Sequence, residues 1–365
     1  MLVTIVSLWA QKLFRLDEPQ PFGGAELQLT LLAKALVKRF GVEVQFITRG
    51  QGPFEIFEVD GIRVYKLAYR DFPPARTILG SWDLLRLLLS LKTDIYVQRG
   101  GGIETGIVGM ASRMKNKPFL FMTSHSWDVD GTHEKNRGWI YGTLYMTGLR
   151  RAAGIVTQIQ NQHDLLWHNY GRESLVLPSA HEIPAPIPIK KEGVMWVSRC
   201  ETWKCPHVFL RLAEALPDLR FTMVCPQANS RELFLEISQK AAALNNVTFL
   251  PGIPFEETEP LFATHRLFIN TSEKEGYPNT FVQAFKWGTP VVSLHVDPDA
   301  ILSTRELGVC ANGDETALRN AVKQMYCDEG WWKKYSENAR SYANATHNVQ
   351  VIVEKFYSLL QSLKK

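Results

Sequence analysis

Short apolar runs alternate with stretches of helical periodicity along the whole chain, and few folds accept that pattern. Leu2–Leu8 reads LVTIVSL, a run suited to a strand buried on both faces. Ala25, Leu29, Leu32, Leu36 and Phe40 then recur at helical spacing, predicting an amphipathic helix over 24–39. Strands follow at Val42–Ile47, Ile62–Lys66, Ile95–Gln98, Phe119–Thr123 and Gly154–Gln158, with helices expected over 81–91, 106–114 and 137–152. Such βα alternation calls for parallel sheets with helices on both faces.

The alternation breaks once. Residues 178–193 carry prolines at 178, 184, 186 and 188 and hold no strand or helix period, as expected of a stiff connector. It then restarts with strands at Val194–Val197, Arg220–Val224, Val247–Leu250, Leu267–Ile269 and Pro290–Leu294. Helices are predicted over 206–216, 230–243, 256–264, 279–287, 315–327, 330–344 and 348–363. For 365 residues, two domains are expected, 1–185 and 190–345, joined by the proline segment with a cleft between them. The last helix carries Val349, Val351, Ile352, Val353, Phe356, Leu359 and Leu360, so it needs a surface to cover and is expected to pack back on the first domain.

Composition excludes several classes. With 45% hydrophobic and 21% charged residues the chain is neither disordered nor collagen-like. No run reaches the ~18 apolar residues of a membrane helix; LLRLLLSL at 84–91 is shorter and interrupted by Arg86. The apolar start lacks a preceding basic residue and a small-residue cleavage site, so it reads as a first strand and not a leader. The net charge of +4 is too small to imply nucleic acid, yet all of the excess falls in residues 1–185, hinting at an anionic partner there. Five cysteines, at 200, 205, 225, 310 and 327, form no CxxC pair and read as free thiols in a reducing, cytoplasmic setting. The stretch Phe72–Leu91, with Arg76 and Trp82, makes peripheral membrane contact through the first domain an expectation.

Three places carry candidate chemistry. Gly23-Gly24-Ala25-Glu26 lies between the first strand and first helix, where glycine lets backbone approach a ligand and helix N–H groups favour an anion. A tight turn with Glu26 complementing the helix dipole fits the same residues. Arg199 and Lys204 follow the first strand of the second domain and offer paired cations for a diphosphate. The fullest signal runs from Asn270 to Phe285, with Glu275, Gly276, Tyr277 and Pro278 leading into a helix that starts at Asn279 and ends at Gly288. The N–H groups of Asn279, Thr280 and Phe281 are expected to be free to hold phosphate oxygens. Glu275, beside that place, suits sugar hydroxyls.

In this order, Gly23-Gly24-Ala25-Glu26, Arg199…Lys204 and Glu275-Gly276-Tyr277-Pro278-Asn279 running into Gly288-Thr289-Pro290-Val291-Val292-Ser293 resemble the GT4 family of retaining glycosyltransferases, which have the GT-B fold. The resemblance covers nearly the whole chain. It implies an α/β enzyme of two Rossmann-like domains facing across a cleft, with the last helix crossing back. It also implies transfer from a nucleotide-sugar donor to a glycan, lipid-linked or small-molecule acceptor, with no cofactor and no essential metal. By the same resemblance Arg199 and Lys204 hold the donor diphosphate, Gly23 and Gly24 offer backbone to it, and Glu275 contacts the donor sugar. The family's second acid falls at Gln283, a departure that weakens the expected ribose contact; Gln283→Glu is expected to restore the pair. His125, after strand FLFMT, is the positional match to a family histidine near the donor sugar, with His133 further from the strand end.

Other readings stay open. Asp128-Val129-Asp130, and Asp297 with Asp299, could each bind a divalent metal. Arg99-Gly100-Gly101-Gly102 reads as a turn or an acceptor-side loop. An epimerase on the same fold, or a non-catalytic sugar-nucleotide binder favoured by Gln283, are the alternative functions.

Overall fold

A computed structural model describes residues 1–15, 22–69, 73–136 and 138–364. Contacts divide it into Met1–His181 with Asn348–Lys365 (unit 1) and Glu182–His347 (unit 2).

Unit 1 contains β1 (Leu2–Val6), β2 (Glu43–Gly50), β3 (Glu55–Val59), β4 (Ile62–Ala68), β5 (Ile95–Arg99), β6 (Phe119–Met122), β7 (Gly154–Thr157) and β8 (Leu175–Val176). They form one sheet in the order β3-β4-β2-β1-β5-β6-β7-β8, parallel except for the β3–β4 pair. Its helices are α1 (Gly24–Phe40), α2 (Pro73–Ser90), α3 (Ile103–Lys115), α4 (Thr132–Asn136), α5 (Trp139–Arg151) and α6 (Gln160–Tyr170). Val3 and Ile5 of β1 are fully buried, as a central parallel strand covered on both faces requires. Glu26 caps α1 by accepting the Gly23 N–H at 2.9 Å, and Gly41 ends it in the left-handed region.

Unit 2 is a six-stranded parallel sheet in the order β11-β10-β9-β12-β13-β14. Its strands are β9 (Val194–Val197), β10 (Phe221–Val224), β11 (Val247–Leu250), β12 (Leu267–Asn270), β13 (Val291–Ser293) and β14 (Gly308–Cys310). Helices α7 (Pro206–Ala215), α8 (Arg231–Ala242), α9 (Phe255–Thr264), α10 (Asn279–Lys286), α11 (Ile301–Thr304), α12 (Glu315–Cys327) and α13 (Glu329–His347) connect and cover it.

Several elements depart from the sequence expectation. The helix expected over 81–91 begins at Pro73, because proline lacks only an N–H that the first turn cannot use. The helix expected over 137–152 is α5, which starts just after Gly138 takes φ 85°, while the short α4 before it was not expected; residue 137 lies outside the described residues. Phe72 and the Arg76 side chain of the proposed membrane stretch also lie outside them.

The last helix, α14 (Val349–Lys364), packs on α1 as expected. Val349, Ile352, Val353, Phe356 and Leu360 are buried in the same core as Val3, Leu29 and Phe46, whereas Val351 faces outward. Tyr357 stacks on Phe40 at 4.1 Å, and Arg39 donates to the Gln350 carbonyl at 2.7 Å and pairs with Glu354. Phe356→Ala is therefore expected to cost about 3–5 kcal/mol, measured by denaturant titration. A loss under about 1 kcal/mol would show that this helix is not part of the core.

Candidate functional site

The site in unit 2 is assembled from two loops at the carboxyl ends of β9 and β12. After β9 the chain forms a short 3-10 turn at Thr202–Lys204, and Cys205 takes the left-handed conformation before Pro206 opens α7. After β12, Thr271 ties the loops together. Its hydroxyl donates to the Lys204 carbonyl at 2.6 Å and accepts from Trp196 Nε1 at 2.9 Å. The Glu273 N–H donates to the Trp203 carbonyl at 2.9 Å.

These bonds bring Lys204 and Glu275 into an ion pair with side chains 12% and 13% exposed. Ser272 Oγ donates to the same Glu275 oxygen, Oε1, at 2.9 Å, which leaves Oε2 open to a further donor. Lys204 Nζ also sits 4.0 Å from the Trp203 ring centroid, a cation–π position. Burial lowers the pKa of the Lys204 ammonium; Glu275 pulls it back up, and Arg199 adds to the lowering. Arg199 stands exposed on the same loop. Lys204 and Glu275 thus pair in the loops that precede α7 and α10, with Arg199 near enough to act on Lys204.

The other residues singled out in this loop divide by role. Asn279 and Thr280 form the half-buried first turn of α10. The Phe281 N–H, expected free, instead donates to the Pro278 carbonyl at 3.0 Å, and its ring is fully buried. Tyr277 is buried with its hydroxyl 2.9 Å from His347 Nε2, so that side chain supports the loop from below. Gly276 and Pro278 are buried beside it.

Gln283 is buried as well, and its Nε2 donates to Glu259 Oε1 at 3.1 Å. Glu259, on α9, also accepts from Trp287 Nε1 at 2.9 Å and pairs with Lys286 at 2.8 Å. Sequence reading missed Glu259, because nothing in a helix period tells which acid faces a neighbouring helix. This corrects the expectation for Gln283→Glu: the new carboxylate would lie against Glu259.

In unit 1, Gly23 and Gly24 open α1 with exposed backbone. His125 starts a 3-10 turn, its Nδ1 accepting from the Trp127 N–H at 3.3 Å and its ring lying 4.0 Å from that indole. The acids of Asp128-Val129-Asp130 serve backbone. Asp128, 3% exposed, accepts from the N–H groups of Gly101 (2.8 Å), Ser124 (2.6 Å) and His125 (3.0 Å), and lies 3.0 Å from His133 Nε2. Burial pushes its pKa up, but His133 and those amides outweigh burial and leave it lowered. Asp130 accepts from the Thr132 N–H, and Asp297 from the Leu302 N–H. Among the described residues no three His, Cys, Asp or Glu side chains gather as a metal site would need.

Residues 22–178 match Glycosyltransferase Family 4, and residues 191–328 match Glycosyl transferases group 1. The chain belongs to glycosyltransferase family 4. This transferase has no match among curated protein sequences. Its fold is that of solved GT-B glycosyltransferases. A sucrose-phosphate synthase from Thermosynechococcus elongatus aligns with TM-score 0.79 and 16% identity over 100% of this chain and 99% of that one. A glycosyltransferase from Rickettsia africae ESF-5 gives 0.73 and 14%, over 100% and 98%. A trehalose-6-phosphate structure from E. coli, bound with UDP-2-fluoro glucose, gives 0.74 and 13%, over 100% and 99%. The transferase therefore uses a nucleotide-sugar donor.

Gln283→Glu in this transferase is expected to lose about 1–3 kcal/mol of stability at neutral pH, from two carboxylates crowded in a half-buried place. The crowding raises the folded-state pKa of the introduced carboxyl, so the loss should shrink as pH falls and that group protonates. Urea titrations of parent and variant at neutral and acid pH measure it; equal stability at neutral pH would refute the Glu259 contact.

Proposed function

We propose that the enzyme transfers a sugar with retention at its anomeric carbon, that unit 2 holds the donor, and that unit 1 chiefly binds a glycan, lipid-linked or small-molecule acceptor. The observation that carries this reading is the Lys204–Glu275 pair at the head of α10 with Arg199 beside it. A nucleoside diphosphate placed there meets Arg199, Lys204 and the first-turn amides of Asn279 and Thr280. When the bond from the anomeric carbon to the diphosphate breaks, negative charge grows on the departing oxygen. Lys204, already fixed by Thr271, Trp203 and Glu275, stabilises that charge without reorganising, and the exposed Arg199 adds a second cation.

Glu275 fits a hydroxyl acceptor better than a nucleophile. Lys204 and Ser272 both hold Oε1, which orients Oε2 toward a ligand hydroxyl. Same-face attack by the acceptor, with the departing diphosphate as the nearest base, agrees with that arrangement. Gln283 serves the ribose end, its amide nitrogen turned to Glu259 and its carbonyl oxygen kept for a hydroxyl. Gly23, Gly24 and His125 are the unit 1 residues assigned to the donor by resemblance.

A thermal-shift panel of nucleotides and nucleotide sugars identifies the donor. A saturating ligand at about a hundred times its Kd stabilises by ~2.7 kcal/mol. With that donor, Glu275→Ala is expected to lower kcat by about one to two decades, the worth of a hydrogen bond to a charged group, with little change in the nucleotide-induced shift. Gln283→Ala should raise the donor KM and leave kcat nearly unchanged, the mark of lost uniform binding. Near-parental kcat for Glu275→Ala would overturn this site as the place of the donor sugar.

Peripheral membrane contact is a second element of the proposal, supported by α2. Ile78 and Trp82 on that helix are 69% and 57% exposed, and Leu79 is exposed between them. No described helix is long and apolar enough to cross a membrane. The protein is expected to co-sediment with anionic vesicles at low salt, and Trp82→Ser to weaken this; absence of binding by the parent ends the idea.

A further inference from the structure

The loop Arg99-Gly100-Gly101-Gly102 borders a hollow of about 180 Å3 lying wholly within unit 1. Its walls include Ser7, Trp9, Glu26, Arg99, Glu104 and Ser124. They come from the carboxyl ends of β1, β5 and β6 and from the first turns of α1 and α3.

Arg99 is the anomaly in this hollow. Its Nε is buried without a hydrogen-bond partner, and among the described residues no carboxylate is bonded to the guanidinium. Glu26 and Asp128 act on it only from further away, and burial drags its pKa down to about 10. Neither acid is at liberty to approach. Asp128 is spent on three backbone amides and His133, and Glu26 caps α1 through the Gly23 N–H. Glu104 is folded toward the start of its own helix, since a Cβ on Gly102 would lie 2.3 Å from its Oε2. Each glutamate is thus largely offset by the positive end of the helix that carries it. The guanidinium is left facing the cavity with no carboxylate in contact and its Nε unpaired, an arrangement that is costly unless a ligand completes it.

The walls also tell what else the ligand carries. The outer edges of Glu26 and Glu104 accept hydrogen bonds, the Ser7 hydroxyl gives or accepts them, the Ser124 hydroxyl, which donates to Asp128, accepts them, and the half-exposed Trp9 indole offers a flat apolar face. Those are the contacts of a polyhydroxylated ring. We propose that this hollow is the acceptor subsite for an anionic sugar, a pyranose bearing a carboxylate or a phosphate, with Arg99 gripping the anion. The proposal rests on the transferase reading, for it names the acceptor class of that enzyme.

Ligand-observed NMR titration of the full chain with glucuronate, glucose 6-phosphate and glucose tests it. At least one anionic probe is expected to bind, at least about ten times more tightly than glucose, and the one that binds names the anion. Arg99→Gln should weaken that probe about ten- to a hundredfold while leaving weak glucose binding unchanged, as loss of a charge-assisted pair predicts. Arg99→Lys is the second variant, in case the glutamine variant does not fold. It keeps the charge without the planar fork and should bind the probe with intermediate affinity. Equal binding of glucose and its anionic relatives, no anionic binding at all, or anionic binding that survives both substitutions overturns the proposal. A nucleotide-sugar thermal shift on the same samples separates the two levels. A protein that binds nucleotide sugar but ignores the anionic probes refutes the subsite alone, whereas one that binds no nucleotide refutes the transferase reading beneath it.

Discussion

Parallel strand pairing is the constraint on which the rest depends. A parallel neighbour can be reached only by crossing over the face of the sheet, so every strand-to-helix loop of a unit emerges on one edge. In unit 1 that edge collects the turn into α1, the Arg99–Gly102 loop and the Ser124–Asp128 turn. In unit 2 it collects the loops after β9 and β12 that carry Lys204 and Glu275, residues 71 positions apart in sequence. No long-range recognition between these residues has to be arranged separately. The hydrogen-bond ladder that builds the core also delivers them to one place.

Two carboxylates on that edge show how similar residues are put to different uses. Asp128 is almost wholly buried and its lone pairs are consumed by Gly101, Ser124, His125 and His133. It shapes a loop and has nothing left for a ligand. Glu275 is held through one oxygen by Lys204 and Ser272 and keeps the other. The difference is set by neighbours. Gly101 and the turn amides offer Asp128 a full set of donors. The donors to Glu275 are two side chains, Lys204 Nζ and Ser272 Oγ, and both bond the same oxygen.

The sequence was most legible where burial enforces a period. The alternation of apolar runs located the central strands of both sheets, and the clustering of apolar residues after 348 foretold the return of α14. It was least legible at sheet edges and in polar helices. β3 shows only one weakly covered face, although Asp60-Gly61, with φ of 52° and 74°, is a hairpin turn whose sequence signal was there to use. α6 reads QNQHDLLWHNY and buries little beyond Gln162 and Leu166, so no stripe betrays it. In the site, the Arg199, Lys204 and Glu275 grouping could be read from motif order. The commitment of Tyr277 to His347, and of Gln283 to Glu259, could not, because those bonds depend on which helix faces which.

The return of α14 has a consequence for the order in which the molecule can be made. Unit 2 is an insertion between His181 and Asn348, two residues that pair side by side, with the Val349 N–H donating to the His181 carbonyl at 2.8 Å. Synthesis from the amino terminus therefore completes every residue of unit 2 before Ile352, Val353 and Phe356 exist to fill the core of unit 1. The first unit begun is the last unit finished. Until then the apolar flank of α1, with Leu29 and Leu36 beneath it, lacks part of its cover.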